Sequence, residues 1–137
     1  MGWIMESRLE HANFCVREIA KSVTFITTAC PEFYIRGSDP EGAWVHVGTN
    51  DTYISLNRCP DGAFHRAYQD LGLNHIGIVV EDVDAVIARL ESAGYHQNTG
   101  PEVTPWRKRY YFGDDDGQQW EFIEYMTDDP ALKNKYE

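Results

Sequence analysis

Two histidines and one carboxylate carry the clearest chemistry in this chain. Residues 8 to 16 read RLEHANFCV and residues 72 to 80 read GLNHIGIVV, with Leu9 and Leu73, His11 and His75, and Val16 and Val80 in register. A third strand-like run, Gln118 to Tyr125, reads QQWEFIEY and carries Glu121. Alternation along a strand decides which side chains share a face. In the first run Ala12, Phe14 and Val16 form the apolar set that a helix covers, so His11 and Asn13 point the other way. In the second, Ile76, Ile78 and Val80 face the helix and His75 and Gly77 face away. In the third, Trp120 and Phe122 take the core side, which leaves Gln119, Glu121 and Ile123 with the histidines. Two neutral imidazoles and a carboxylate on one open face suit a divalent metal, because they combine borderline nitrogen with hard oxygen donors and leave positions for water or substrate.

The elements that must position these residues occur twice, and such internal repetition fixes the architecture. In the first copy a strand over 9–16 leads into a helix over 18–29, with Ile19, Val23 and Ile26 on one face and Pro31 ending it. Strands follow over 32–36, 44–48 and 52–57. In the second copy a strand over 73–80 precedes a helix that Asp82 can cap, with Val83, Val86, Ile87 and Leu90 on one stripe and Gly94 after its end. Strands over 95–97, 107–112 and 118–125 complete it. The expected order is βαβββ twice, an α+β fold of two tandem modules, about 8–57 and 72–125, joined by a linker over 58–71. The tail after Tyr125 is polar and expected to pack loosely.

Composition sets outer bounds. The 137 residues, 42% hydrophobic and 13% aromatic, amount to one domain. No run approaches the roughly 18 apolar residues of a membrane-spanning helix, and MGWIMESR lacks the layout of a signal peptide, so a cytoplasmic location is expected. A net charge of −10 disfavours nucleic acid and anionic membrane as partners. Three cysteines, Cys15, Cys30 and Cys59, without a CxxC pair, argue against a disulfide framework and a thiolate zinc site. Asp114 to Asp116 before Gly117 reads as a turn rather than a cation loop.

Parity also outlines the rest of the cleft. Val45 and Val47 face the core, so Trp44 and His46 look into the cleft, as do Tyr53, Ser55 and Asn57 from the next strand. By the repeat, Arg109 and Tyr111 occupy the places of Trp44 and His46. An arginine beside aromatic rings can clamp a carboxylate or phosphate on a planar substrate. The bland alternative for Arg109 is a strand-edge cation in water. A histidine kept for packing alone is the corresponding alternative for the metal set. Glu10 and Glu124 lie on the opposite parity and are not expected to be ligands.

The motifs LEHANFCV, LNHIGIVVEDVDAV and FGDDDGQQWEFIE together resemble the vicinal oxygen chelate superfamily, which contains glyoxalases, extradiol dioxygenases, and fosfomycin- and bleomycin-resistance proteins. The resemblance covers residues 8 to 125. It implies paired βαβββ modules whose curled sheets enclose a metal cleft, with His11, His75 and Glu121 as ligands of zinc, iron, manganese or nickel. The family turn D-x-D-G is followed by a ligand Glu four residues after the glycine, and that count from Gly117 reaches Glu121. The chain departs from the four-ligand pattern at Ser55, where such members carry a carboxylate in the first repeat. Ser55 therefore counts against a glutathione-dependent glyoxalase.

These readings give a metal-dependent enzyme acting on a small molecule that chelates the ion through adjacent oxygens, of lyase, dioxygenase or thiol-transferase type. Catalytic groups are expected among Glu121, Tyr53 and Ser55, with His46 or a metal-bound water as other candidates for the base, and substrate contacts from Trp44, His46, Arg109 and Tyr111. A homodimer is expected from the resemblance. The competing expectation is a metal-free protein that sequesters an aromatic or cationic drug between the rings of Trp44, Tyr53, Trp106 and Tyr111.

Overall fold

The first copy of the repeat folds as β1 (His11–Val16), α1 (Ile19–Ala29), β2 (Tyr34–Ser38), β3 (Trp44–Gly48) and β4 (Tyr53–Arg58). The second folds as β5 (His75–Val79), α2 (Val83–Ser92), β6 (Gln97–Thr104), β7 (Arg107–Gly113) and β8 (Gln119–Tyr125), followed by α3 (Pro130–Lys133). The structure is a computed structural model, and it describes residues 6–64 and 69–136. Each copy builds its own four-stranded mixed sheet, ordered β1-β4-β3-β2 and β5-β8-β7-β6. The first strand runs parallel to the last in both, and the other pairs are antiparallel. The architecture is α+β, with two sheets that do not close into a barrel.

The helices form where apolar stripes meet the sheets. Helix α1 buries Phe25, Ile26 and Ala29, and α2 buries Val83, Val86, Ile87 and Leu90. The start of α2 is doubly capped. The Asp82 carboxylate accepts from the Ala85 amide at 3.1 Å, and Glu124 accepts from the Val83 amide at 2.9 Å. Two of the otherwise unpaired amides of its first turn are thereby satisfied. The cap also gives Glu124, on the parity opposite Glu121, a structural task.

Both helical faces feed one core. Phe14 meets Trp120 edge to face at 5.3 Å between ring centroids, and Phe25 packs on Tyr95, Trp120 and Phe122. Arg89 of α2 donates to the Thr28 and Ala29 carbonyls at 2.9 Å each, closing the end of α1. The core side of each sheet is thus turned toward the other module. By alternation, the faces that carry His11 and His75 look away from this shared core.

Three expectations are corrected. The strand expected over 95–97 is the longer β6, which runs through Pro101 to Thr104. It is an edge strand with register shifts between Gln97 and Thr99 and between Thr99 and Glu102, a setting that accommodates a residue with no N–H to donate. The tail is anchored rather than loose. Buried Arg107 donates to the carbonyls of Lys133 at 3.1 Å and Lys135 at 2.8 Å and lies 4.1 Å over the Tyr136 ring. Leu9, assigned to the first strand, precedes it and is 92% exposed. The amphipathic hint from Ala63 to Tyr68 falls mostly outside the described residues.

Candidate functional site

The register of the two sheets shows how the repeat sets its side chains. In the first module His11 stands beside Tyr53 and Asn13 beside Ser55. In the second His75 stands beside Gln119 and Gly77 beside Glu121. Ser55 and Glu121 are therefore equivalent positions, each opposite the residue two places after the histidine. Tyr111 pairs with Glu121 as His46 pairs with Ser55.

Both imidazoles are oriented by the residue before them. His11 Nδ1 lies 2.9 Å from Glu10 Oε1, and His75 Nδ1 lies 2.8 Å from Asn74 Oδ1. An Nδ1–H donated to oxygen leaves Nε2 as the free ring nitrogen, the arrangement that fixes the tautomer of a metal-binding histidine. This pairing was absent from the sequence expectations. Its signal was present in L-E-H and L-N-H, where an acceptor-bearing side chain precedes each histidine.

The second module gathers the ionic groups. Glu121 is 6% exposed, and its Oε2 lies 3.2 Å from His75 Nε2. Its Oε1 accepts from Arg109 Nη1 at 3.3 Å. Gly77 lies beside the carboxylate: a Cβ there would make ordinary van der Waals contact with Glu121 Oε2 at 3.6 Å, so a methyl fits and a longer side chain would reach the carboxylate. Tyr111 packs edge-on against His75 at 5.4 Å. Burial, then the charge of Glu121, raises the Tyr111 pKa, so the phenol keeps its proton near neutrality. Arg109 is also ion-paired to Glu102, across the β6–β7 ladder. Its charge is already balanced by two carboxylates, which differs from the open anion clamp expected of it.

The turn that delivers Glu121 is tightly held. Asp114 accepts from the amides of Asp116 and Gln118 at 2.9 and 3.0 Å and from Trp120 Nε1 at 3.0 Å. Burial raises the pKa of this carboxyl while those donors oppose the rise. Gly117 sits at φ 84°, the left-handed region expected of the turn.

The first module gathers rings instead. His11 stacks on Tyr53 at 4.7 Å, Tyr53 on His46 at 4.7 Å, and Trp44 lies 4.7 Å from His46. Arg36, which the sequence reading did not include, lies 4.2 Å over the Tyr53 ring. Ser55 is buried and accepts from Asn13 Nδ2 at 2.8 Å. Trp44, His46, Tyr53 and His11 thus form one run across β3, β4 and β1. Trp106 lies outside both groups, at the β6–β7 turn, with Lys135 over its ring at 5.1 Å.

Of the three expected metal ligands, one chain brings His75 and Glu121 together. Among the described residues, no group of three or more His, Cys, Asp or Glu side chains is placed to hold a metal ion. His11 belongs to the other module's ring cluster.

A family model described as the Glyoxalase/Bleomycin resistance protein/Dioxygenase superfamily matches residues 8–122. The chain belongs to this superfamily. Solved structures agree at the level of fold. A glyoxalase family protein from Bacillus cereus is 18% identical with a TM-score of 0.74, covering 93% of this chain and 99% of its own. A genomically encoded fosfomycin resistance protein from Listeria monocytogenes is 21% identical with a TM-score of 0.72, covering 96% and 100%. An antibiotic binding protein from Streptomyces is 23% identical with a TM-score of 0.63, covering 90% and 99%. No curated protein matches the sequence. Among the described residues no helix is long and apolar enough to cross a membrane.

Proposed function

We propose that this superfamily member is a metal-dependent enzyme acting as a homodimer, each chain forming one two-module domain. In each site His75 and Glu121 of one chain are joined by His11 of the partner subunit. The observation that carries the reading is the contact between His75 and Glu121. His75 Nδ1 is held by Asn74 at 2.8 Å, and its Nε2 lies 3.2 Å from an oxygen of the buried Glu121 carboxylate. An imidazole nitrogen and a carboxylate oxygen at this separation can both reach one ion with bonds of about 2.0 to 2.2 Å. The donor set, one imidazole and one carboxylate with a second imidazole from another copy, fits a divalent ion such as zinc, iron, manganese or nickel.

The position of two strands supports the dimer. β1 and β5 each lie at the edge of a sheet, and among the described residues neither outer edge has a ladder partner. Between them runs a largely apolar groove of about 440 Å³, with His11, Ile76, Ile78 and Val79 among its walls. Val79 is 65% exposed. Unpaired edges with exposed apolar side chains are normally covered, and a second copy covers both at once.

When bound, the ion supplies Lewis acidity to an oxygen of a substrate that chelates it through two adjacent oxygens. The chain's own residues position and protonate. Arg109 and Tyr111 hold Glu121 in place. Tyr53 and His46 are the candidates for moving a proton, and Ser55, fixed by Asn13, is a polar contact for substrate or water.

Metal content of mixed dimers tests the shared site. His11→Ala and His75→Ala proteins are each expected to purify without metal, whereas co-expression of the two should restore metal to the mixed sample. In a mixed dimer one site retains all three donors. Failure to restore metal, with mixed dimers shown to form, would reject sharing between copies.

A second reading is favoured by the run of rings in the first module. Stacked aromatics with a cation above them suit capture of a planar drug without any metal. Tight binding of such a ligand to chelator-treated protein, at the same affinity as before treatment, would support sequestration over catalysis.

A further inference from the structure

The far end of the open face of the first module carries two thiols. Cys15 follows His11 and Asn13 on the same side of β1, and its ladder partner on β4 is Asn57. Cys59 follows directly on the end of β4, two residues beyond Asn57. The strand ends are drawn together there, because the Cys59 amide donates to the Val16 carbonyl at 2.7 Å. The Cys15 and Cys59 side chains are neighbours at this strand end, near enough for Cys15 to act on the Cys59 thiol. Cys15 is exposed and Cys59 half-buried, so reagents reach the pair, whereas Cys30 is buried in the core. The second module has Val79 and Tyr125 at the equivalent places, so the fold itself does not require a thiol pair.

We propose that Cys15 and Cys59 form a reversible dithiol–disulfide site that reacts with small-molecule disulfides of the glutathione type and closes across the end of β1 and β4. In the first step the Cys15 thiolate attacks one sulfur of the external disulfide. A mixed disulfide forms on Cys15, and one small thiolate leaves and takes up a proton. Cys59 then loses its proton to solvent and attacks the Cys15 sulfur, forming the Cys15–Cys59 bond and releasing the second small thiolate, which is protonated in turn. One external disulfide is reduced to two thiols while two protein thiols are oxidised. Cys15 is the attacking sulfur because it is the more exposed. The neighbouring Cys15 thiol, above all other causes, raises the Cys59 pKa, and conversion of Cys15 to the mixed disulfide removes that neighbour before Cys59 attacks. Burial pushes the Cys30 thiol up to about 12 and leaves it inert.

The experiment is incubation of the full-length protein with oxidised glutathione, followed by thiol counting and mass spectrometry of a non-reducing digest. The expected product has lost two of its three thiols, carries no glutathione and yields a peptide that links Cys15 to Cys59. Cys15→Ser and Cys59→Ser are each expected to retain one glutathione on the remaining partner, since the resolving sulfur is gone. Glutathione retained on both cysteines of the unaltered protein, or disulfides joining two copies, would overturn the proposal. Dithiothreitol should return the native thiol count; persistence of the link under reduction would overturn its reversibility.

Discussion

The open faces of the two modules share one register and differ in chemistry, and the difference turns on what stands opposite one position. In the second module Gly77 stands opposite Glu121 with no side chain to bond it, and an imidazole and a guanidinium meet the carboxylate instead. In the first, Asn13 occupies the equivalent place and reaches Ser55 at 2.8 Å, so the position is closed by a neutral hydrogen bond. The histidines then take different neighbours. His75 meets a carboxylate, while His11 stacks on Tyr53. A duplicated backbone has thus been divided into one face that handles charge and one that presents rings.

The largest effect that separates the faces is expected from Glu121→Ala. This substitution removes the carboxylate beside His75 Nε2 and should abolish metal retention, a loss of more than about 100-fold in affinity, since even residues that merely orient a ligand contribute about 10 to 100-fold. Metal analysis after gel filtration reads it directly. Retention of metal at the unaltered level would show that the charged face is only an ion-pair network.

Arg109→Ala comes next. Arg109 touches Glu121 Oε1 and so orients the carboxylate from behind, and its loss should weaken metal binding by about 10 to 100-fold. Glu10→Ala acts similarly on the His11 ring but from an exposed position, and should cost less than Arg109→Ala. Competition with a chromophoric chelator ranks the two. An equal or reversed order would break the contrast between a buried and an open ligand support.

These features were unequally legible in the sequence. The match of Ser55 with Glu121 came from the family resemblance, whereas the parity of Phe14, Trp120 and Phe122 follows from strand alternation, which is local and obeys a period of two. The ion pairing of Arg109 with Glu102 did not, because it crosses the bulged β6–β7 ladder, and the bulges shift the register that parity relies on. Arg107 resisted for another reason. Its partners are backbone carbonyls of the tail, groups that every residue has and that no pattern marks. The separation of His11 from His75 and Glu121 reflects how the modules pack through Phe14, Phe25 and Trp120, and strand alternation says nothing of that packing.

Converting one face into the other gives a smaller effect with sharper meaning. Ser55→Glu alone places a carboxylate against Asn13 in a buried position and should destabilise the fold by about 1 to 3 kcal/mol, the usual cost of a poorly satisfied buried polar group. Asn13→Gly with Ser55→Glu reproduces the arrangement of Gly77 and Glu121. The double variant should recover much of that stability in the presence of a divalent metal and bind the metal about 10-fold more tightly than the single variant. Thermal melts with and without metal measure both quantities. Equal melts for the single and double variants would mean that Asn13 and Gly77 do not set the contrast.

The smallest effect is expected on the face that presents rings. Tyr53 is its centre, with His11 and His46 each 4.7 Å away and Arg36 at 4.2 Å over the ring. Tyr53→Leu keeps most of the apolar volume but removes the stack and the seat of the cation. Aromatic pairs contribute about 0.5 to 1.5 kcal/mol beyond the area they bury, so affinity for a planar ligand should fall by roughly 2- to 13-fold. The same change should leave metal content nearly unaltered, because Tyr53 supplies no donor to the ion and His11 keeps its Glu10 contact. Titration of a planar cationic dye, run beside metal analysis, separates the two effects. If metal content falls with dye affinity, then Tyr53 holds His11 in the pose needed for the shared site, and the two faces work as one.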